Sequence, residues 1–149
     1  MKQWAGLKLS HARQLDFFLS TGLDMRKDEL VEAAIKALRS SSVFSPLPDA
    51  SIEKLAHYAK FEKFPQPTLI VSAGEPTKVL RFVLRGYIAA RAYASDSMET
   101  ELIPIQPGGF SVWIGTFTSA PIVQDYWTSA GTELIAFPNE KILEEADRY

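Results

Sequence analysis

The chain has no cysteine. Disulfides, thiolate-held zinc, iron–sulfur clusters and cysteine nucleophiles are excluded together, and the composition fits a reducing, cytoplasmic setting. Histidine is scarce: His11 and His57 are the only two. A metal site on a β-roll needs two or three histidines and a carboxylate carried by strands. Both histidines fall instead in helical sequence, so no metal and no other cofactor is expected. Serine-nucleophile chemistry also lacks its parts, because no Gly-x-Ser-x-Gly elbow occurs. Excess positive charge is missing too. The 16 Lys and Arg are outnumbered by 18 Asp and Glu, for a net charge of -2, which leaves no basic footprint for a phosphate backbone. No stretch approaches the ~18 apolar residues of a membrane span. Met1-Lys2-Gln3-Trp4 opens a mixed polar sequence, not an apolar signal segment.

What is present is an ordinary globular balance. The 149 residues are 46% hydrophobic and 23% charged, the size of one domain that buries about two-thirds of its unfolded surface. Periodicity changes near residue 60. Before it, Leu30, Val31, Ala34, Ile35 and Leu38 lie on one helical face, with Asp28 and Glu29 at the start and Lys36 and Arg39 near the end, as the macrodipole favours. An earlier helix is expected over Ser10–Ser20, closed by Gly22. Asp49 is placed to cap a short helix carrying Ile52, Leu55, Ala56 and Ala59.

Beyond residue 60 short strands are expected at Thr68–Val71, Val79–Leu84, Tyr87–Tyr93, Thr100–Ile105, Val123–Thr128 and Thr132–Phe137. Arg85-Gly86 reads as the turn of a tight antiparallel hairpin, and the last two strands read as a pair around Gly131. A short helix over Glu140–Ala146 closes the chain. Strands at this spacing with Gly and Pro punctuation indicate a mainly β fold with flanking helices, a jelly-roll-like β-roll or sandwich.

Five segments, in order, resemble the cyclic nucleotide-binding domain of the Crp/Fnr regulator type. They are Val43-Phe44-Ser45-Pro46-Leu47-Pro48-Asp49, Gly74-Glu75-Pro76, Phe82-Val83-Leu84-Arg85-Gly86, Pro107-Gly108-Gly109-Phe110 and Thr132-Glu133-Leu134-Ile135-Ala136-Phe137. The match covers about residues 43–146, and it divides the chain into a helical lead-in over 1–42 and a cyclic nucleotide-binding-like β-roll over 43–149. The resemblance implies a ligand site between the sheets, against a short helix that follows the Pro-Gly-x-Phe turn. There a Gly-Glu-Leu triplet binds the ribose, and an Arg-Ser pair some eight residues on neutralises the cyclic phosphate.

Laid on that pattern, the pocket positions are Gly109, Phe110, Val112, Trp113, Ile114, Val123 and Gln124. Tryptophan stands where the ribose-binding glutamate is expected, and it donates a hydrogen bond but accepts none. Val123-Gln124 stands where the Arg-Ser pair is expected. Between Pro107 and Ala136 there is no Arg or Lys at all, so the phosphate-binding motif is degenerate. Arg81 and Arg91, with Arg85, are the cations on neighbouring strands. A second reading therefore keeps cyclic AMP or cyclic GMP binding, with Arg81 or Arg91 on the phosphate.

The expectation is a non-catalytic sensor module, part of or derived from a transcription regulator, that answers to an unknown small ligand or a protein partner. A small β-roll metalloenzyme is the alternative from another class. Phe110, Trp113, Phe117, Tyr126 and Trp127 are either an apolar binding surface or core that fills the old pocket. Asp96, Glu99 and Glu101 read as solvated charges flanking a hairpin loop. The resemblance implies a homodimer formed through a long helix after the roll, then a DNA-reading helix-turn-helix. Tyr149 falls one or two turns into that helix, so DNA contact is expected only through a C-terminal region missing from this sequence. No membrane contact is expected.

Overall fold

The computed structural model describes residues 25–93, 99–101, 104–111 and 124–148. The helix expected over Ser10–Ser20 lies outside them. In chain order the described elements are α1 (Lys27–Arg39), α2 (Asp49–His57), β1 (Lys60–Phe64), β2 (Thr68–Val71), β3 (Val79–Arg85), β4 (Ile88–Tyr93), β5 (Glu99–Glu101), β6 (Phe110–Ser111), β7 (Asp125–Thr128), β8 (Thr132–Pro138) and α3 (Asn139–Ala146).

α1 buries the face that its 3.6-residue period marks. Leu30, Ala34 and Leu38 are buried, and Val31 and Ile35 pack against the same cluster. Its first turn carries Asp28 and Glu29 and its last Lys36 and Arg39, which opposes the helix dipole at both ends. Arg39 then shapes the link to α2. Its Nη1 donates to the carbonyls of Ser45 (2.9 Å) and Leu47 (3.2 Å), and its Nη2 pairs with Asp49. Asp49 is therefore not the cap expected from sequence. Pro48 holds the cap position in extended conformation, because its fixed φ suits the helix entrance. Asp49 is the first helical residue and turns its carboxylate to Arg39.

Two antiparallel four-stranded sheets face each other, in the orders β1-β8-β3-β6 and β2-β7-β4-β5. The first has cover on both faces. Leu80, Phe82, Ile135 and Phe137 pack against the helices with Leu38, Ile52, Leu55 and Ile142, while Val83 and Leu134 point inward to Ile88 of the second sheet. That double cover explains β8, which is buried at six successive positions and so reads as a continuous run, without alternation.

The tight hairpin expected at Arg85-Gly86 does not form. β3 pairs with β8 and β6, whereas β4 pairs with β7 and β5. The chain crosses here from one sheet to the other. β7 and β8 likewise belong to different sheets, so the expected pairing around Gly131 is a second crossing. The physical reason lies in β3. It carries buried side chains on both faces, so it needs strand neighbours on both edges and a layer above and below, which a two-stranded ribbon cannot supply.

The crossings lie side by side. Tyr87 N–H donates to Ser129 Oγ (3.1 Å), and Ser129 N–H returns to Tyr87 O (3.0 Å). Thr132 Oγ1 donates to Ser129 O (2.8 Å). Gly86 has φ +79°, and a Cβ there would lie 2.3 Å from Thr132 Oγ1 and 2.8 Å from Thr132 Cα. Two further strands went unread in the sequence, β1 and β6. The expected Thr100–Ile105 strand is described at Glu99–Glu101, paired to β4, with Ile105 forming an isolated bridge to Ile88.

The closing helix α3 is pinned at both ends. Asn139 donates through its backbone N–H to Lys78 O (3.0 Å) and through Nδ2 to Thr77 O (3.0 Å). Glu145, with a side chain only 4% exposed, accepts from Ser51 Oγ of α2 at 2.8 Å and lies 3.3 Å from Lys54 Nζ and 3.6 Å from Arg148 Nε. The Ser51 hydroxyl and the two cations hold its carboxyl below the usual glutamate range, against the opposing effect of burial.

Two outcomes follow. Gly86→Ala meets both positive φ and the Thr132 backbone, whereas Gly131→Ala (φ +77°) meets open space. Gly86→Ala should therefore lower unfolding free energy by about 2–4 kcal/mol and Gly131→Ala by only about 1 kcal/mol, read from urea midpoints. Glu145 binds its proton more weakly folded than unfolded. Its contribution is thus complete above the ordinary glutamate range and is lost as pH falls through the folded value. Stability measured from pH 7 down to about pH 3 should drop less steeply in Glu145→Ala than in the parent.

Candidate functional site

Strand alternation decides which side chains face the space between the sheets. Leu80 and Phe82 point to the helices, so Val79, Arg81 and Val83 point inward. On β1, Phe61 packs with the helix-side cluster and Phe64 with the inter-sheet one, so Glu62 shares the inward face with Phe64. Arg81 and Glu62 stand on the two neighbours of β8, opposite Ala136 and Leu134. Small and aliphatic residues between them let the long side chains meet over β8.

They meet with good geometry. Arg81 Nε lies 2.7 Å from Glu62 Oε1, and Nη2 lies 3.3 Å from Oε2, a bidentate pair. The side chains are 13% and 28% exposed. The guanidinium thus has two of its nitrogens committed to a carboxylate.

Arg81 also forms one wall of a cleft of about 410 Å³. Ile70 and Val71 of β2 face Val79 and Arg81 of β3, and Glu75, Pro76, Thr77 and Lys78 close one end. The turn that builds this end is held from several sides. Ser72 N–H donates to Glu75 Oε1 (3.0 Å), Ala73 N–H to Asp125 Oδ1 (2.8 Å), and α3 holds the Thr77 and Lys78 carbonyls through Asn139. Thr77 Oγ1 is buried in this wall with no hydrogen-bond partner among the described residues. Outside the cleft wall, Oγ of Ser111 is also buried without a hydrogen-bond partner among the described residues; Ser111 is 1% exposed and stands directly opposite Arg81 in register.

The positions singled out from the sequence are placed as follows. Gly109 accepts Val83 N–H at its carbonyl (3.0 Å), which docks the Pro107-Gly108-Gly109 turn on β3. Phe110 faces the helices, with ring centroids 4.9 Å from Phe82 and 5.8 Å from Phe44, on the opposite side of the first sheet from the cleft. Gln124 is half-buried, and its Oε1 accepts from Tyr126 OH at 3.3 Å. Burial raises the Tyr126 phenol above its ordinary pKa. Val112, Trp113, Ile114, Phe117 and Val123 lie outside the described residues, as do His11 and Asp96. Arg91 stands in register between Glu101 of β5 and Asp125 of β7. Arg85 Nη1 lies 3.7 Å from the buried Glu133 carboxylate.

His57 is exposed on α2, with Nδ1 2.8 Å from the Glu53 carbonyl. Among the described residues no three of His, Asp and Glu gather in a metal-holding group, and no helix is long and apolar enough to cross a membrane. Sequence reading missed Glu62, Thr77 and Lys78. A signal for Glu62 was present, since an acid in a Phe-rich five-residue segment predicts a cationic neighbour, but β1 itself had not been recognised.

No family model matches the sequence, and no curated protein matches it. Solved structures do. The chain is similar to the sensor domain of the transcriptional regulator DNR from Pseudomonas aeruginosa, at 17% identity and TM-score 0.70, over 80% of each chain. It is similar to a cyclic nucleotide-binding-like protein from Brucella abortus, at 13% identity and TM-score 0.66, over 77% of this chain and 98% of that one. It is also similar to the regulatory domain of Toxoplasma gondii PKA crystallised with cAMP, at 16% identity and TM-score 0.73, over 82% of this chain. Of that Toxoplasma chain it spans about half, 46%. The fold is the cyclic nucleotide-binding β-roll.

The Arg81–Glu62 pair makes a measurable claim. In a double-mutant cycle of Glu62→Gln and Arg81→Met, unfolding free energies should show a coupling of about 1–3 kcal/mol, well above that of an exposed ion pair.

Proposed function

We propose that this chain is a non-catalytic regulatory sensor domain whose nucleotide pocket no longer takes cyclic nucleotides in the usual way. Its place is within, or derived from, a transcription regulator of the Crp/Fnr type, working in the cytoplasm. The fold supports the sensor reading, since its structural neighbours include sensor and regulatory domains. One observation carries the loss of the usual ligand. The span from Pro107 to Ala136 contains no Arg or Lys, while Asp125 and Glu133 make its formal charge negative.

A cyclic phosphate buried between sheets needs a cation or aimed N–H donors. Removing one partner of a buried charge pair costs about 3–5 kcal/mol, roughly several hundredfold or more in affinity. Tryptophan at 113 and valine at 123 supply neither the ribose acceptor nor the guanidinium. The second reading, in which Arg81 takes the phosphate, finds support in Arg81 lining the cleft. It is weighed down by Glu62, which leaves Arg81 only Nη1 to offer and offsets the guanidinium's charge, so Arg81 alone does not replace the missing Arg-Ser pair.

Calorimetric titration with cyclic AMP and cyclic GMP separates the readings. No saturable heat is expected below about millimolar nucleotide. Micromolar binding of either would overturn the degenerate-pocket reading, and its loss in Arg81→Ala would install the second.

A further inference from the structure

The sensor reading leaves its ligand unnamed, and the cleft beside the β2–β3 turn narrows the choice. Three residues that line it carry donors without a full set of acceptors. Arg81 gives Nε and Nη2 to Glu62, and Nη1 has no acceptor among the described residues. Thr77 Oγ1 is buried in the same wall and unpartnered. Lys78 is exposed at the rim, with its backbone carbonyl held by Asn139 and its ammonium in no ion pair among the described residues.

Buried polar groups in folded proteins are as a rule satisfied, so an unpartnered hydroxyl beside a half-committed guanidinium marks a place where a ligand atom completes the set. Glu62 does for Arg81 what a supporting carboxylate does at a binding site: it locks the plane of the guanidinium through Nε and Nη2 and leaves Nη1 for a further acceptor. Of the two acids nearby, the inner one is neutralised by its partner and the other stands at the solvent rim. Glu62 is spent on Arg81, and Glu75 accepts the Ser72 amide through one oxygen at the exposed rim. Ile70, Val71, Pro76 and Val79 supply an apolar lining, which suits a small organic body over a bare inorganic ion.

We propose that this cleft binds a small organic anion, with its carboxylate or phosphate group on Arg81 Nη1, Thr77 Oγ1 and Lys78 Nζ. The inference rests on the sensor reading and deepens it by assigning a ligand class to residues outside the Pro107–Ala136 span. The binding elements are wired to the closing helix. Asn139, the first residue of α3, holds both Thr77 and Lys78 at their carbonyls, so an anion that draws these two residues inward pulls on the helix that Glu145 fastens to α2.

The test uses the full chain at constant ionic strength set with sodium chloride. Succinate and glycerol 3-phosphate are titrated as the carboxylate and phosphate-ester probes, with cyclic AMP in parallel. Saturable binding of one probe is expected, weakened about tenfold or more by Arg81→Gln and severalfold by Thr77→Val and Lys78→Gln. Thr77→Val and Lys78→Gln break no ion pair among the described residues, so they decide the matter if the Arg81 variant fails to fold. Which probe binds distinguishes a carboxylate from a phosphate ester. Absence of saturable binding by both probes overturns the anion site, as does binding that keeps its strength in Thr77→Val and Lys78→Gln. Cyclic AMP reports separately: its micromolar binding overturns the degenerate-pocket reading, whereas two silent probes with cyclic AMP also silent overturn the anion site alone.

Discussion

The fold depends on one small knot of backbone, where the chain twice changes sheets. Gly86 presses against Thr132 so closely that no side chain fits between them, and Tyr87 and Ser129 exchange hydrogen bonds across the junction. The end of β1 joins the same place, because Gly131 N–H donates to Phe64 O at 2.9 Å. Each crossing satisfies the polar groups that the other exposes. Without that reciprocity the two bends would give up these hydrogen bonds to water, each a net loss on the order of 0.5–1.5 kcal/mol. With it, β3 and β8 become the central strands of one sheet and β4 and β7 those of the other.

Once the sheets face each other, the remaining polar side chains have defined tasks. Arg39 gathers three oxygen acceptors and sets the path from α1 to α2. Glu145 ties α3 to α2, and Asn139 ties α3 to the start of β3. The helices cover one face of the first sheet and the second sheet covers the other, and the cleft lies at the end of the roll bounded by the β2–β3 turn. A ligand there touches a turn fastened both to β7, through Asp125, and to α3, through Asn139. Hydrogen bonds thus join the cleft directly to α3.

Much of this was legible in the residues. The face of α1, the apolar set of α2, the bounds of β2 and the closing helix follow from period and punctuation, because each is a local property of a short segment. β1 was not legible, for a physical reason. In Lys60-Phe61-Glu62-Lys63-Phe64 the two aromatics are three apart, so they lie on opposite faces of the strand, and the alternation that marks a half-buried strand is absent. β6 was too short to carry a pattern. The hairpin at Arg85-Gly86 was misread because a glycine between two β-branched runs looks the same whether the chain folds back on itself or passes to a second sheet. Only the double burial of β3 distinguishes the cases. Asp49 was misassigned because a cap and a first-turn acid differ by one residue, and a partner ten residues upstream made the choice.

The sequence by itself determined the mainly β class, the flanking helices and the absence of any cation between Pro107 and Ala136, since these are matters of composition and local period. It also determined that thiol chemistry has no place here. Tertiary structure alone decided which strands are neighbours, because pairing depends on contacts between residues far apart in the chain. It alone brought Glu62 to Arg81 across β8, and it alone set Thr77 and Lys78 beside them. No spacing rule connects these residues: strands not adjacent in sequence become neighbours only when both faces of the first sheet must be covered.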